Sequence, residues 1–487
     1  MSVRKQEPHS LWNHFADLNS VPRPSKKEER VIEFMMDFGR KLNLETIKDQ
    51  IGNVIIKKPA SPGMENRKTV ILQSHLDMVH QKNSDTLFDF DNEGIKMRVQ
   101  GDWIDAEGTT LGADNGVGVA TIMATLSSKE IQHPALEAFF TIDEETGMTG
   151  AKEMDGRLFS GEILLNLDTE DDDELSIGCA GGIDTNTSYI CERIKTPKDY
   201  SFLKIDIKGL LGGHSGMDID SGRGNANKWM ARILWNISRK SNLLISTFDG
   251  GGLRNAIPRE AKSIIAVPKG KVKIVQAEIA QQSKVLLSEY HTIEPNVTIT
   301  YSAAKNMPEV ISENDTTKIL NTLCCLHNGV FRMSPDIEGL VETSSSLARV
   351  LIENKEFITQ SLQRSSVETT KDEIAMTIRC TFENMGCTVI QTGDYPGWQP
   401  NPHSEILTVM EQLYKDLHNE NPQVKACHAG LECGILGKHL PSVDMISFGP
   451  NIRAAHSPDE KVQISSVQKF WNFYLETLKK IPLKRII

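Results

Sequence analysis

Thr69-Val-Ile-Leu-Gln-Ser-His-Leu-Asp77 is the stretch that indicates how this chain of 487 residues is organised. Its apolar run at 70–72 is typical of a short buried strand, so His75 is predicted where that strand gives way to a loop. Side chains alternate along a strand with a period of two, which puts Asp77 on the same side as His75. An Asp beside one ring nitrogen would fix the tautomer of a metal-binding histidine. Taken alone, such a pair is more often a hydrogen-bonded contact at a strand end, so a metal site needs support from elsewhere in the chain.

That support comes from three later strands of the predicted fold, which also lead into acidic residues or histidine. The three are Leu136-Glu-Ala-Phe-Phe-Thr-Ile142 before Asp143-Glu144-Glu145, Ile163-Leu-Leu-Asn-Leu167 before Asp168, and Val443-Asp-Met-Ile-Ser-Phe448 before His456. Adjacent acids at a buried strand end repel one another unless a cation or a shared proton compensates, although a run of charges can also be a solvated turn. Because ligands in α/β sheets gather outside the carboxyl ends of the strands, this recurrence predicts a site at one sheet edge.

A further acidic residue, Asp114, lies in Gly112-Ala-Asp-Asn-Gly-Val-Gly118, just before a run rich in Ala, Thr, Met and Leu that predicts a helix. Backbone N–H groups at the start of a helix can steady a carboxylate, and a plain N-cap role is the alternative. Two imidazoles and three carboxylates form a nitrogen and oxygen set suited to Zn²⁺, Mn²⁺ or Co²⁺. If one carboxylate bridges, five such residues give each of two metals three protein ligands and leave a position for water: His75, Asp114, Glu145, Asp168 and His456.

Composition argues against several classes of protein. The chain has 54 basic and 65 acidic residues, and the net charge of −11 disfavours a general nucleic-acid surface. The amino terminus lacks an apolar signal region, and no apolar run approaches the roughly eighteen residues of a membrane span. The eight cysteines include no C-x-x-C pair, which favours buried thiols over structural zinc ligands. We therefore expect a cytoplasmic protein that binds neither nucleic acid nor a membrane.

The length predicts two domains, and the character of the sequence changes near residue 187. A strand at 202–207, a glycine-rich loop at 210–216, a helix at 225–238 and a strand at 264–267 are predicted there, with further strands at 297–301 and 373–379. Because the last candidate ligand follows them, the second domain is predicted to be inserted into the first. The expected parts are a first domain at 1–186 and 396–487 and an inserted domain at 187–395, which is long enough for two copies of a β-α-β type unit.

Five motifs resemble those of the M20 metallopeptidases, in the same order and along essentially the whole chain. They are Ser74-His-Leu-Asp-Met-Val79, Gly112-Ala-Asp-Asn-Gly116, Asp143-Glu-Glu-Thr-Gly147, Asn166-Leu-Asp168 and Ala455-His-Ser457. The most similar branch is that of the aminoacyl-histidine (Xaa-His) dipeptidases. The resemblance implies an α/β fold, with a di-metal catalytic domain whose mixed sheet is flanked by helices, plus an inserted α+β lid domain.

The metal site follows from the same resemblance. It implies that Asp114 bridges two divalent ions, with Zn²⁺ expected and Co²⁺ or Mn²⁺ as alternatives. His75 and Asp168 would complete one metal site, and Glu145 and His456 the other.

The resemblance also assigns the residues that act beside the metals. It implies that Glu144 is the general base and that Asp77 orients His75. A cis peptide after Asp114 is implied as well, and this chain has Asn115 where many members have Asp.

Four residues are implied to bind the substrate. His214, in Gly212-Gly-His-Ser-Gly216, matches the lid histidine that helps hold the oxyanion or the substrate carboxylate. Asn255 and Arg364 resemble the pair that binds the C-terminal carboxylate, for which Arg offers a bidentate grip. Glu432 resembles the residue that meets a free amino group. Fixing both ends would restrict the enzyme to dipeptides.

The predicted function is therefore that of a metal-dependent dipeptidase acting on Xaa-His and related, carnosine-like dipeptides, and a homodimer is compatible with it. Two alternatives stay open within the family, a tripeptidase and an N-acyl amino acid deacylase. Glu432 separates the deacylase, whose substrate has no free amine. A non-catalytic peptide- or metal-binding protein is the alternative from another class, and it would be expected to lack Glu144 or one of the ligands.

Overall fold

The computed structural model describes residues 2–484, which form two compact units. The first unit comprises Met1–Gly178, Pro400–Ala426 and Leu431–Ile487, and the second comprises Cys179–Gln399 and Cys427–Gly430. An insertion into the first unit is thus present. The boundary predicted at residue 187 falls inside a strand, Gly181–Ile190, so the second unit begins earlier than predicted.

Strands and helices are interspersed along the described chain, with several runs of consecutive strands. The strands are β1 Glu45–Lys48, β2 Val54–Lys58, β3 Val70–His75, β4 Met97–Gln100, β5 Trp103–Ala106, β6 Leu136–Thr141, β7 Ile163–Asn166, β8 Glu174–Cys179, β9 Gly181–Ile190, β10 Arg193–Lys195, β11 Tyr200–Lys208, β12 Leu244–Gly251, β13 Ala261–Pro268, β14 Thr298–Ala303, β15 Glu309–Ile311, β16 Gly329–Met333, β17 Val341–Glu353, β18 Glu356–Ser365, β19 Thr388–Tyr395, β20 Gln423–Cys427, β21 Asp444–Ser447, β22 Ile452–Arg453 and β23 Lys461–Gln463.

The helices of residues 2–484 are α1 His9–Leu18, α2 Glu29–Lys41, α3 Ala113–Ser127, α4 Thr149–Lys152, α5 Ala226–Ser238, α6 Val272–Glu289, α7 Glu313–Cys325, α8 Glu368–Met385, α9 Glu405–His418, α10 Glu432–His439 and α11 Ile464–Lys480, with short 3₁₀ turns at Val3–Lys5, Gly156–Leu158 and Lys269–Lys271. Three of these helices are preceded by a residue whose side chain accepts hydrogen bonds from backbone N–H groups of the first turn. These N–H groups have no partner within the helix itself. These caps are Asn225, Ser312 and Ser404.

The first unit contains an eight-stranded mixed sheet in the order β1-β2-β6-β3-β7-β21-β8-β20. Its centre is parallel, because β3 pairs in parallel with β6 and β7, and β21 pairs in parallel with β7. The strands β3, β6 and β7 are buried along their whole length, as expected for parallel strands covered on both faces. Helix α3 packs against β3 and α9 against β21. The predicted mixed sheet flanked by helices is confirmed.

A second layer of the first unit joins helices to a small sheet of β22, β23, β5 and β4. Buried side chains of α1 and α3, among them Trp12, Phe15 and Val117, share one hydrophobic core with Ile104 of β5 and Val462 of β23. This packing fixes the amino-terminal end of α3, which carries Asp114.

The second unit is an α+β domain whose sheet has the order β14-β11-β13-β12-β17-β18-β9-β19, with β16 paired to β17. Side chains on β11 alternate as predicted, with Ile205 and Ile207 buried while Lys204 and Asp206 are only half-buried. Buried residues of α5, α6, α7 and α8 form one core with these inward-facing side chains.

Two copies of a β-α-β-β-α-β unit make up this domain. One copy is β11-α5-β12-β13-α6-β14, and the other is β9, then α7-β17-β18-α8-β19. In each copy the last strand lies beside the first, and the third strand separates the first from the second. The copies join where β12 pairs with β17. The first copy interrupts the second after a single strand, which explains why the chain shows no simple tandem repeat.

One predicted strand is wrong. Residues 373–379 lie in the middle of α8 and not in a strand. The buried positions Ile374, Ile378 and Phe382 are spaced by four, and this helical spacing extends beyond the seven residues on which the strand was predicted. None of the helices in the described part of the chain combines the length and the apolar character needed to cross a membrane.

Candidate active site

The predicted ligands converge at the carboxyl ends of the parallel strands of the first unit. His75 is the last residue of β3, Glu145 follows β6 closely, and Asp168 follows β7 by two residues. Because these strands run in parallel, their carboxyl ends share one edge of the sheet. Asp114 at the start of α3 and His456 in the loop after β22 meet the others there.

Asp114 lies at the centre of the cluster, with one carboxylate oxygen toward each histidine. Its Oδ1 is 3.1 Å from His75 Nε2, and its Oδ2 is 3.1 Å from His456 Nε2. Asp168 Oδ1 is 3.5 Å from His75 Nε2, and Glu145 Oε2 is 3.0 Å from His456 Nε2. The cluster thus divides into two trios that share Asp114, and in each trio the candidate ligand atoms lie within 4.8 Å of one another.

The charges of the cluster fit divalent cations. Burial raises the pKa of Asp168 to about 6, an effect that the positive charge of a nearby His75 opposes. Hydrogen bonds to Asp114 and Glu145 raise the pKa of His456 to about 11. Within residues 2–484, Glu145 Oε1 and Asp168 Oδ1 are buried without a hydrogen-bond donor. Buried carboxylate oxygens with no donor, facing imidazole nitrogens, are a donor set that Zn²⁺, Mn²⁺ or Co²⁺ would satisfy.

Asp77 is fully buried and connects two parts of the cluster. Its Oδ1 is 3.5 Å from His75 Nδ1, which leaves His75 Nε2 directed at Asp114. The same carboxylate accepts hydrogen bonds from the backbone N–H of Glu144 at 3.0 Å and of Glu145 at 3.2 Å. Asp77 therefore contacts the ring of His75 and also fixes the loop after β6, and the contact with the loop was not predicted from the sequence.

Glu144 lies next to the trios, and one of its carboxylate oxygens is within 4.8 Å of ligand atoms of His75 and Glu145. Burial raises the pKa of Glu144 well above its usual value; the positive charge of His75 opposes this, and Asp168 and Glu432 add to it. A carboxyl group in such surroundings binds a proton more readily than an exposed one.

The loop that carries Asp114 is held by two residues that the sequence did not reveal. Glu460 accepts hydrogen bonds from four successive backbone N–H groups, those of residues 111–114. Arg23, only 1% exposed, donates to the backbone oxygens of Leu76, Asp77 and Gly112. Arg23 thus ties the loop of His75 to the loop of Asp114. The only signal in the sequence was the position of Glu460 in the run after His456.

The peptide bond between Asp114 and Asn115 is cis, as the family resemblance implied. Both residues have backbone angles outside the helical region, so the regular helix starts after them. Asn115 donates from Nδ2 to the backbone oxygen of Leu167 at 2.5 Å, next to Asp168.

Glu432, the first residue of α10, belongs to the same unit and is 2% exposed. Its Oε2 accepts hydrogen bonds from Gln73 at 2.6 Å and from Thr141 at 2.9 Å. Its Oε1 is buried, and no partner for it occurs in the part of the chain that the structure describes. Burial raises the pKa of Glu432 to about 8, an effect that the positive charge of His75 opposes.

The other three predicted substrate residues lie close together in the second unit. The backbone N–H of Ser215 donates to the backbone oxygen of Asn255 at 2.8 Å, which puts the loops of His214 and Asn255 side by side. His214 Nδ1 accepts hydrogen bonds from the backbone N–H groups of Gly216 and Met217, so its proton is on Nε2. Nε2 of His214 is therefore a hydrogen-bond donor.

Arg364 faces the loop of His214. A side chain at Gly216 would lie 2.0 Å from the backbone oxygen of His428 and 3.0 Å from Arg364 Nε, so only glycine allows this approach. Arg364 donates to the Tyr395 hydroxyl at 2.8 Å, while its Nε is buried and unpaired among the described residues. Tyr395 and His428, whose Nε2 is 2.7 Å from the Ser344 hydroxyl, were not predicted as part of this cluster.

The sheet of the first unit ends in two trios of candidate ligands, each made of one histidine and two carboxylates. The two trios share Asp114. This is the arrangement of a two-metal hydrolase. Residues 71–480 match the model of the peptidase family M20/M25/M40, and the chain belongs to this family.

Two relatives named as dipeptidases cover nearly the whole chain, each at 39% identity. The chain is 39% identical over 477 residues to the cytosol non-specific dipeptidase of Escherichia coli (strain K12), with 98% of each protein covered. The crystal structure of the aminoacylhistidine dipeptidase from Vibrio alginolyticus matches at a TM-score of 0.97 and 39% identity, covering 100% of this chain and 99% of that one. Aminopeptidase PepT from Bacillus cereus shares the fold, with a TM-score of 0.56 at 15% identity and coverage of 98% and 99%.

Proposed function

We propose that this protein hydrolyses dipeptides with free amino and carboxyl ends, Xaa-His among them, by activating water at a two-metal centre. The observation that carries the proposal is the position of Asp114, whose two carboxylate oxygens each face a separate trio of ligands. The names of the two relatives support dipeptides as the substrate class, and one of those names adds a histidine preference.

His75, Asp114 and Asp168 would hold one ion, and Asp114, Glu145 and His456 the other. Zn²⁺ is the proposed metal, with Co²⁺ or Mn²⁺ as alternatives, because the donors are imidazole nitrogens and carboxylate oxygens. Such ions supply an activated water and a polarised scissile carbonyl when they are bound.

Glu144 carries the proton in this scheme. It accepts a proton as water attacks the carbonyl carbon, and it delivers a proton to the amine as the C–N bond breaks. Asp77 keeps Glu144 in reach because it binds the backbone N–H of that residue at 3.0 Å.

The two ends of the substrate are assigned to charged groups of opposite sign. Glu432 meets the ammonium group, for which its unpaired Oε1 is suited. Arg364 and Asn255 bind the C-terminal carboxylate, and His214 donates from Nε2 to the oxyanion or to that carboxylate. The second unit acts as the lid in this proposal, and the cytosol is the proposed location because of the name of the relative from Escherichia coli.

An N-acyl amino acid deacylase is the competing function, and Glu432 argues against it. A deacylase substrate has no ammonium group, so the buried Oε1 of Glu432 would stay unpaired in the complex. A tripeptidase would need space for one more substrate residue beyond Glu432, the residue assigned here to the substrate ammonium group.

Turnover of a peptide panel by the metal-loaded enzyme tests the proposal. The panel contains Ala-His, β-Ala-His, Ala-Ala, N-acetyl-Ala-His and Ala-Ala-His. We expect cleavage of the three free dipeptides and a kcat/KM at least about a hundredfold lower for the acetylated peptide and the tripeptide, since each loses a charge-assisted contact. Faster cleavage of the acetylated peptide would establish a deacylase, and faster cleavage of Ala-Ala-His a tripeptidase.

Arg364→Ala is expected to lower kcat/KM for Ala-His by about a hundredfold, because the substrate carboxylate loses its buried partner. The amide of Ala-His, which has no carboxylate, should change by no more than about threefold. Arg379→Ala, on α8 of the same unit, is the control and should leave both rates unchanged. Equal losses for the acid and the amide would remove Arg364 from carboxylate binding.

A further inference from the structure

A row of polar side chains crosses the buried centre of the eight-stranded sheet. Gln73 on β3, Asn166 on β7 and Ser447 on β21 are direct neighbours in the parallel pairing of these strands. Their exposed fractions are 0%, 3% and 1%. Central parallel strands are usually apolar throughout, and buried polar groups cost free energy unless each is hydrogen-bonded. Such a row therefore calls for a reason beyond packing.

All the donors in the row point in one direction. Ser447 Oγ donates to Asn166 Oδ1, and Asn166 Nδ2 donates to Gln73 Oε1. Gln73 Nε2 then donates to Glu432 Oε2 at 2.6 Å. Thr169, next to the candidate ligand Asp168, lies 2.8 Å from Ser447 Oγ and must be the donor there, because the single hydroxyl proton of Ser447 is already used.

The row ends on a carboxylate that is satisfied on one side only. Glu432 Oε2 receives Gln73 and also Thr141 at 2.9 Å, whereas Oε1 has no partner within residues 2–484 although it is buried. A row that served stability alone would be expected to satisfy both oxygens. The bare oxygen instead belongs to a residue whose other oxygen binds Thr141, the residue that pairs with His75 between β6 and β3. The structure thus leaves Oε1 of Glu432 unpaired among the described residues, while Gln73 and Thr141 hold Oε2 of the same carboxylate in place.

We propose that Ser447, Asn166 and Gln73 are positioning residues that hold Glu432 as an acceptor for the ammonium group of the substrate, and so set the preference for peptides with a free amino terminus. The inference rests on the proposed function, because Glu432 is there assigned to the ammonium group. An amide has a donor end and an acceptor end, so the row fixes which end of Gln73 faces Glu432. If Gln73 were reversed, its carbonyl oxygen would face Oε2, and repulsion between these two acceptors would displace the Glu432 carboxylate from its position.

Asn166→Asp tests this direction with little change of shape. The substitution replaces the Nδ2 donor by a second acceptor, so the Gln73 amide is expected to turn its Nε2 toward the new carboxylate and its oxygen toward Glu432. The probes are Ala-His and propionyl-His, which differ only by the amino group, and the measured quantity is the ratio of their kcat/KM values for the metal-loaded, full-length enzyme. We expect the ratio to fall at least tenfold in Asn166→Asp, while propionyl-His changes by no more than about threefold.

Two further variants make the test independent of any single substitution. Ser447→Ala frees the Asn166 amide to turn and should lower the ratio in the same sense, by about threefold or more. Ser176→Ala is the matched control, because Ser176 is a buried serine on β8 of the same sheet whose hydroxyl, among the described residues, binds Glu174 and no member of the row. It should leave the ratio unchanged. Thermal unfolding of each variant shows that it is folded, and Ser447→Ala carries the test if Asn166→Asp does not fold.

The outcomes separate this inference from the proposed function. If the wild-type enzyme does not prefer Ala-His, or if Glu432→Gln keeps the preference, then Glu432 does not meet the ammonium group and both proposals fail. If Glu432→Gln loses the preference while Asn166→Asp and Ser447→Ala keep it, the positioning role alone is overturned. Equal losses for both peptides in the two row variants would likewise make the row a purely structural feature.

Discussion

Asp114→Ala is expected to lose both metal ions and at least about a thousandfold in kcat. The two oxygens of Asp114 face separate trios, so removal of this one side chain leaves each trio with two ligands. It also leaves the imidazoles of His75 and His456 without the carboxylate that lies 3.1 Å from each. Metal ions contribute several kcal/mol of transition-state stabilisation, which corresponds to a thousandfold or more in rate. Metal content per chain and turnover of Ala-His measure the two effects.

His456→Ala is the matched comparison for Asp114→Ala. His456 belongs to one trio only and its side chain is 55% exposed, so its loss should weaken one ion and leave the other in place. The assignment of Asp114 as the bridge fails if Asp114→Ala retains two ions per chain, or if the two variants lose the same single ion.

Glu144→Gln is expected to keep the metals and lose turnover by about a hundredfold to ten-thousandfold, the usual range for a general base. The amide has the shape of the acid but cannot carry the proton. The backbone N–H of Glu144 still binds Asp77, so the loop should keep its position. Metal analysis and steady-state rates on Ala-His, measured on the same preparation, test both parts.

Glu153→Gln is the control for Glu144→Gln, because Glu153 is an exposed residue at the end of α4. It should change neither metal content nor rate. A metal-loaded Glu144→Gln with a near-normal rate would exclude Glu144 as the proton carrier, and a loss of metal would show that it acts as a ligand.

The candidate ligands could be predicted from the sequence because each follows a local signal. His75 is the last residue of the buried strand that begins with the apolar run at 70–72, and Asp168 follows the buried strand at 163–166, so both lie at strand ends that can be recognised within a few residues. The parallel pairing of β3, β6 and β7 then brings the strand ends together without further information. The strand wrongly predicted at 373–379 shows the limit of a short window, since the helical spacing of α8 appears only over several turns.

The residues that the sequence did not reveal act through contacts between distant parts of the chain. Arg23 reaches the backbone of Leu76 and Gly112, and Glu460 binds a loop almost 350 positions earlier, so no local pattern marks either of them. The row that leads to Glu432 is similar, because Gln73 and Ser447 are ordinary polar residues until strand pairing aligns them. Hydrogen-bond partners of this kind depend on the tertiary structure, whereas strand ends do not.

Electron paramagnetic resonance of the enzyme loaded with Mn²⁺ tests the two-metal centre most directly. Two ions that share the Asp114 carboxylate are expected to bind at two per chain and to give the multiline spectrum of an exchange-coupled pair. His456→Ala should convert this spectrum to that of a single ion. One ion per chain in the wild-type enzyme, or two ions with the spectrum of isolated Mn²⁺, would contradict a centre bridged by Asp114.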